Sequence, residues 1–390
     1  MNFEIIIDSR PSEVVIALLR DKHLIELHKE NNNNSYSVGD IYLGKVKKVV
    51  PGLNAAFVNV GYEKDGFLHY LDLGPNVNSY KKFTQKTIAK KINTASLKNF
   101  RREKEIDKTG QITDVLKSGD RILVQVSKEP ISTKGPRLTA EISIAGRNMV
   151  LLPFSNKISL SNKIKSLEEK VRLKRLLKSI KPEGFGVMVR TVAKGKKVIE
   201  LDSNLKVLYK KWQSAFKELK DAQAPQMILK ELNRATAILR DILNEGFNSI
   251  HVNDKDLYLE LKDYLISIAP EQEKILKLYK SKNPILQNFD VTKQIKAAFG
   301  KTVNMKNGTY LVIEHTEAMH VIDVNSGKKV DAKKDQEENA LLVNLGAAVE
   351  IARQLRLRDM GGIIVVDFID LYSAKNRKLL FEKMREAMKD

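Results

Sequence analysis

Two aspartates in the last third of the chain carry the clearest chemical signal. Val321-Ile322-Asp323-Val324-Asn325-Ser326 alternates apolar and polar residues. An extended strand there puts Asp323 and Asn325 on one face, about 6.5–7 Å apart. Gly361-Gly362-Ile363-Ile364-Val365-Val366-Asp367-Phe368 is an apolar run of the kind expected of a strand buried on both faces, with Asp367 where it emerges. A buried, unpaired carboxylate is costly, so Asp367 calls for a cation or for hydrogen-bond donors. On neighbouring strands, Asp323 and Asp367 would share one hard divalent cation, and Mg2+ suits an oxygen-only site that keeps waters for a substrate phosphate. The chemistry that follows is in-line attack of a metal-activated water on a phosphodiester. The competing reading is structural: each aspartate caps a helix or pairs with an arginine such as Arg356 or Arg358. None of the six histidines forms a close pair at zinc-ligand spacing, and strand alternation puts His320 on the face opposite Asp323, as a structural residue.

Two further groups could hold nucleic acid. Asn54-Ala55-Ala56-Phe57-Val58 and Asp65-Gly66-Phe67-Leu68 place Phe57 and Phe67 on short strands, where they stack on unpaired bases or fill a barrel core. Lys134, beside Gly135, is a phosphate contact for the same surface. Arg190-Thr191 follows the Gly-rich strand Gly184-Phe185-Gly186, and an arginine fork beside a hydroxyl suits a terminal phosphate. Ala145-Gly146-Arg147-Asn148 could bring backbone N–H groups to the same anion; a surface turn explains both segments equally well.

The elements that must position these groups follow from the rest of the chain. Its 390 residues carry 68 Lys+Arg against 48 Asp+Glu, a net charge of +20, with 42% hydrophobic residues. That composition fits a multidomain globular protein with a polyanionic partner, nucleic acid first. The absence of cysteine excludes disulfides, thiol nucleophiles and Cys-bound zinc. No apolar run is long enough to cross a bilayer, and Glu4 and Asp8 within a β-like start argue against a signal peptide, so a cytoplasmic location is expected. Basic residues crowd two stretches, Lys81–Lys108 and Lys157–Lys181, either as solvated faces or as phosphate-binding surface.

Short strands punctuated by glycine (Ile41–Val50, Ala55–Val60, Gly66–His69, Arg121–Ser127, Leu138–Ile144) predict a small barrel of the OB type, with Lys81–Lys108 inserted between its strands. Strands at Glu4–Asp8 and Glu13–Leu27 precede a polar loop at Asn31–Ser35. Strands at Met149–Leu152 and Gly186–Arg190 flank a basic helix, Ile164–Ile180. Long helices are expected at Leu205–Leu219 and Ala224–Leu243. After a short β/α stretch come a hairpin (Gly308–Glu314, Met319–Asn325), a helix (Glu337–Leu357), the Gly362–Phe368 strand and a final helix, Ala374–Lys389, which has no terminal capping signal.

The block Glu350-Ile351-Ala352-Arg353-Gln354-Leu355-Arg356-Leu357-Arg358-Asp359-Met360-Gly361-Gly362, running on to Leu371, resembles the signature of the RNase E/G family of bacterial endoribonucleases. Ile322–Ser326, Asn54–Phe57, Gly66–Leu68, Val189–Thr191 and Ser143–Gly146 fall in the family's order, and the RNase G branch fits better. The resemblance implies an α+β multidomain fold: an RNase H-like subdomain (1–35 and 236–298) with an inserted OB-fold barrel (36–145, basic insertion 80–110) and 5′-sensor (146–235), then a DNase I-like α/β catalytic subdomain (299–390). It further implies that Asp323 and Asp367 hold Mg2+, with Asn325 supporting the metal-bound water or scissile phosphate. Phe57, Phe67 and Lys134 would contact RNA, and Arg190, Thr191 and the backbone of Gly146 and Val150 would bind a 5′-monophosphate. The implied activity is cleavage of single-stranded A/U-rich RNA, in rRNA precursors and mRNA, by a homodimer or homotetramer. Where this chain has Gly346 the family usually carries Glu. The expected consequence is a missing carboxylate near the metal strands and a helix weakened by up to ~1 kcal/mol relative to Ala. The competing functions are a non-cleaving RNA-binding protein on the same scaffold, such as a ribosome-assembly or translation factor, and a DNA-directed metal nuclease.

Overall fold

The structure is a computed structural model describing residues 2–31, 36–130, 134–243, 246–305, 308–327 and 335–389. Most of the polar loop expected at Asn31–Ser35 therefore lies outside the described residues. The chain forms two compact units, one from residues 1–32 and 243–390, the other from 33–242. No helix among the described residues is long and apolar enough to cross a membrane.

In the first unit, the segment expected as one β region over Glu13–Leu27 is a hairpin of Glu13–Arg20 and His23–Asn31. Asp21 and Lys22 both take positive φ at its turn, the geometry that matches the twist of paired strands. With Phe3–Ser9, Phe247–Val252 and Leu276–Leu278 this hairpin makes a five-stranded sheet, in the order Leu276–Leu278, Phe247–Val252, Phe3–Ser9, Glu13–Arg20, His23–Asn31. The last three strands are antiparallel, and the first two join in parallel across the helix Lys255–Ile268. A four-stranded sheet follows: Thr302–Asn304, Tyr310–His315, Met319–Asn325 and Ile363–Asp367. Its last two strands are parallel, because the long helix Gln336–Leu357 crosses between them. That helix lays Ala347, Ile351 and Leu355 on Leu311, Ile313, Ile322 and Val324, covering one sheet face. The final helix is Ala374–Ala387.

In the second unit, Ile41–Val50, Ala55–Asn59, Gly66–His69, Arg137–Thr139 and Arg121–Lys128 close into a five-stranded barrel, since Ile41–Val50 pairs with both ends of the series. The single strand expected over Leu138–Ile144 is two strands: Arg137–Thr139 stays in the barrel, while Ile144–Ala145 joins another sheet with Met149–Pro153, Phe185–Val189 and Ile158–Leu160. The helix Val198–Lys220 packs on that sheet and buries Leu205, Leu208 and Trp212.

The long helix expected over Ala224–Leu243 does not form. Gln226–Leu229 is instead a strand added to the barrel edge, and the helix is only Arg234–Ile242. Asn233 starts it, its Oδ1 accepting from the Thr236 N–H at 2.9 Å, the N-cap role that asparagine favours. The apolar spacing hid this break because Ile228 points into a core from a strand as readily as from a helix. The basic stretch Lys81–Lys108 is likewise not simply a solvated face. The helix Val77–Ile88 buries Tyr80, Phe83, Thr84 and Thr87, and Phe83 stacks on Trp212 at 5.6 Å. Lys81 and Lys90 pair with Asp120 and Asp221 at 2.8 and 3.0 Å, and Lys82 pairs with Glu103.

Candidate nuclease site and RNA-contact surfaces

The parallel register sets Asp323 directly beside Asp367. Neighbouring strand backbones run about 4.8 Å apart, and equal register in a parallel pair points both side chains to one face. Asn325 shares that face and donates from Nδ2 to Asp323 Oδ2 at 2.7 Å, which fixes the carboxylate's orientation. The face is the one the Gln336–Leu357 helix leaves uncovered. Along Ile363–Asp367, positions 363, 365 and 367 are exposed, with Ile363 62% and Val365 45% accessible. The strand expected to be buried on both faces is thus an edge strand, half-buried on one face and exposed on the other. Its hydrophobicity does not report two-sided burial, and Asp367 needs no buried counter-ion.

The arginines that the structural reading would enlist are engaged elsewhere. Arg356 lies 3.9 Å from Glu26, while Arg358 donates to Gln354 Oε1 at 2.8 Å and to the carbonyls of Ala298 and Gly300 at 2.6 Å. Neither aspartate sits at a helix start. Two like charges thus stand side by side with an amide and, among the described residues, no paired cation, an arrangement that an added cation relieves. Among the described residues no three His or acidic side chains converge. Two carboxylates and water suffice for Mg2+, so the donor set fits that ion.

Sequence reasoning missed the groups that steady this site. Asn344, fully buried on the crossover helix, donates to the Ile369 carbonyl at 2.7 Å and accepts from its N–H at 3.1 Å. It pins the chain two residues beyond Asp367. Its signal was legible: with Ala340, Ala347, Ala348 and Ile351 it occupies the apolar stripe of that helix, where a polar residue needs a reason. Glu337 accepts from the N–H groups of Tyr372 and Ser373 and from Asn376. Those donors, the Tyr372 N–H foremost, hold its carboxyl below the usual range.

Gly346 corrects an expectation. It lies on the helix covering the opposite face of the sheet from the aspartates, and a Cβ there would meet nothing within 4 Å. A carboxylate at that position would therefore not join the metal strands. The histidines correct another: His315 and His320 face each other across the hairpin, Nδ1 to Nδ1, at 2.7 Å, so a close pair exists that linear spacing did not show.

On the barrel, Phe57 and Phe67 sit opposite each other in adjacent strands with rings 5.8 Å apart, edge to face. Their neighbours Ala56, Val58 and Leu68 fill the barrel core, so both rings lie on the outer wall, half-buried. Half-burial on the outer wall sets both phenylalanines outside the barrel core. Lys134 is exposed, and the segment after it lies along the Phe67 strand, Phe67 N–H donating to the Pro136 carbonyl at 2.8 Å.

The residues considered for a terminal phosphate share one end of the second unit's four-stranded sheet. The Arg190 N–H donates to the Asn148 carbonyl at 2.9 Å, and Thr191 Oγ1 lies 3.1 Å from Ser161 Oγ. The Gly146 N–H already donates to the Met149 carbonyl at 2.9 Å. A Cβ at Gly146 would come within 3.0 Å of Asn204 and Leu208, so glycine is what lets this turn seat on the Val198–Lys220 helix. Val150 stands opposite Met188, two residues along from the bonded Arg190–Asn148 pair, a position whose N–H belongs to the ladder. The Arg190 guanidinium is itself paired with Asp241, which also accepts from Arg240 Nε at 2.9 Å. Burial pushes the Asp241 carboxyl up, but the hydrogen bonds and charge of Arg240 and then Arg190 outweigh it and leave it below its ordinary value.

Comparison with known proteins shows the family. The sequence profile of the ribonuclease E/G family matches residues 143–390. Ribonuclease E of Nostoc sp. (strain PCC 7120) is 37% identical over 358 residues, covering 91% of this chain and 48% of its own length. Ribonuclease G of Escherichia coli (strain K12) is 32% identical over 388 residues, covering 100% of this chain and 75% of its own. Ribonuclease G of Haemophilus influenzae is 33% identical over 385 residues, covering 99% and 74%. The chain thus spans about half the length of the first of these relatives and about three quarters of the other two.

Proposed function

Because this chain belongs to the ribonuclease E/G family, we propose that it is a Mg2+-dependent endoribonuclease that cuts single-stranded A/U-rich RNA and is stimulated by a 5′-monophosphate. The observation that carries this reading is the in-register pair Asp323–Asp367 on an open sheet face, with Asn325 fixing one carboxylate and no cation paired with either among the described residues. In this reading both carboxylates hold Mg2+. Asn325 keeps Asp323 in a ligating orientation and presents its amide to the water or scissile phosphate. When bound, the ion activates water and stabilises the leaving oxygen. Phe57 and Phe67 offer two outward rings on which unpaired bases stack, which favours single strands over duplex. Arg190 and Thr191 receive the 5′-phosphate, and Arg190 exchanges the Asp241 carboxylate for it.

The finer fold assignment belongs to the same proposal. The five-stranded sheet has three antiparallel strands extended by two parallel ones, the order of an RNase H-like subdomain, and the closed barrel is of the OB type. The four-stranded sheet with its crossover helix would be the DNase I-like part. Processing of rRNA precursors and decay of mRNA, in the cytoplasm, are the roles this activity would serve. Cleavage of one short single-stranded RNA, carrying either a 5′-monophosphate or a 5′-hydroxyl, tests the reading. Cutting that needs Mg2+, stops with EDTA and runs faster on the monophosphate supports it; binding without cutting under all conditions refutes it.

A further inference from the structure

A cleft of about 340 Å3 opens in the second unit where the chain after the Val77–Ile88 helix meets the start of the Phe185–Val189 strand. Its polar lining is Arg102, Lys181, Lys98, Asn156 and Glu183, over a floor that includes Phe100. The Arg102 guanidinium is held by Asn156 Oδ1 at 2.9 Å and, more weakly, by the Ser155 carbonyl at 3.4 Å. Lys181 Nζ donates to the Phe185 carbonyl at 3.1 Å. These are neutral acceptors. Glu183, the one carboxylate of the lining, is 3.8 Å from Lys98, with both side chains about two-thirds exposed, and its charge acts on Lys181 less than that of Arg102 does. Three cations therefore line a cleft with one acid at its exposed rim. Burial lowers the pKa of Lys181 and the charge of Arg102 lowers it further, with a smaller opposing effect from Glu183.

We propose that this cleft is a second phosphate-binding site, taking one phosphate ester of a nucleotide between Arg102 and Lys181. A fork-shaped guanidinium oriented by an amide, with an ammonium beside it and no carboxylate within ion-pair distance of either among the described residues, is the equipment for a phosphate. The volume falls at the small end of ligand pockets and accommodates a nucleotide. The site is separate from Arg190. Gly184 lies before the Phe185–Val189 strand and Arg190 after it, which at roughly 3.3 Å per residue sets the two about 20 Å apart. The cleft is closed by design at Gly184, whose φ of +88° and lack of a Cβ, which would come 2.5 Å from Leu97 Cβ, let the two segments touch. The choice of a nucleotide phosphate rests on the RNA reading given above; the anion site itself does not.

The shared chemistry, a phosphate ester, could belong to a free nucleotide or to the RNA backbone. The test is equilibrium binding in EDTA, where no cleavage contributes, to adenosine 5′-monophosphate and to a 5′-hydroxyl single-stranded RNA, in protein carrying Arg190→Gln. Adding Arg102→Gln with Lys181→Gln is expected to weaken binding roughly tenfold, and for RNA to reduce the salt slope by about 0.7, while Arg102→Lys with Lys181→Arg keeps most of the affinity. Loss with the mononucleotide assigns a free nucleotide; loss with RNA alone assigns a backbone phosphate. A second measurement covers a variant that fails to fold: in the unsubstituted protein, either ligand should protect Lys181 from an amine-reactive label. Unchanged affinity for both ligands, or no protection of Lys181, overturns the proposal. Neither outcome bears on cleavage, so failure here is distinguishable from failure of the nuclease reading.

Discussion

The Asp323–Asp367 face and the Arg190 end of the second unit's sheet solve opposite charge problems in opposite ways. On the first, two carboxylates stand in register, one of them bonded to an amide, with no paired cation among the described residues. On the second, the arginine is already neutralised by the chain's own Asp241. Among the described residues the first site has no cationic partner, and it gains one outright when a cation binds. To take the proposed phosphate the second would give up a partner, so its gain would be only the difference between two anions. A site built from uncompensated charge should bind strongly and fail completely when altered. A site that exchanges one ion pair for another should be tunable in small steps.

That contrast can be broken or sharpened in order of expected effect. Asp323→Asn or Asp367→Asn should lower cleavage by at least about a hundredfold with RNA affinity retained, because metal-activated water is lost and the binding surfaces are not; cleavage and binding assays on the same RNA check it. Phe57→Ala or Phe67→Ala should weaken single-stranded RNA binding by about 1–3 kcal/mol per ring with little change in melting temperature, since both rings lie outside the barrel core. A large loss of stability instead would restore the core reading. Asn344→Ala should destabilise the protein by roughly 1–3 kcal/mol in a denaturant melt, because it strands the Ile369 backbone groups.

Asp241→Asn tests the exchange directly. An ion pair with a carboxylate this exposed contributes about 0.2–1 kcal/mol, so its removal should tighten binding of 5′-monophosphate RNA a few-fold and leave 5′-hydroxyl RNA unchanged. The lowered carboxyl of Asp241 sets the sign with pH. The link is fully present above the ordinary aspartate range and is lost as pH falls through the lowered value, so near neutrality the effect of the substitution should not vary with pH. Gly346→Ala should raise stability by about 0.5–1 kcal/mol without altering cleavage, because the position is open and lies across the sheet from the aspartates.

Much of this was legible in the residues, and the failures share a cause. Period-two alternation correctly set Asp323 and Asn325 on one face, and the same alternation marked the outward Phe57 and Phe67 had it been weighed against the inward Ala56 and Val58. What one-dimensional pattern cannot carry is the identity of the neighbour. An all-apolar strand such as Ile363–Val366 reads as buried on both faces, yet it ends its sheet. Ile228 fits helix spacing and strand spacing alike, so only Asn233 and the barrel edge decide. Asp241 closing on Arg190, and His315 meeting His320, are pairings across space that no spacing rule predicts. Gly346 was misjudged for a similar reason, since its distance from the aspartates depends on which sheet face the helix covers.

The most direct test of the central claim is Mn2+ binding, followed by electron paramagnetic resonance, to the unsubstituted protein, Asp323→Asn, Asp367→Asn and the double variant. One ion shared by both carboxylates predicts that either single substitution removes most of the binding and that the double variant loses little more. Two singles that each keep about half of the binding, with losses that add in the double variant, or no Mn2+ bound by the unsubstituted protein, would contradict it.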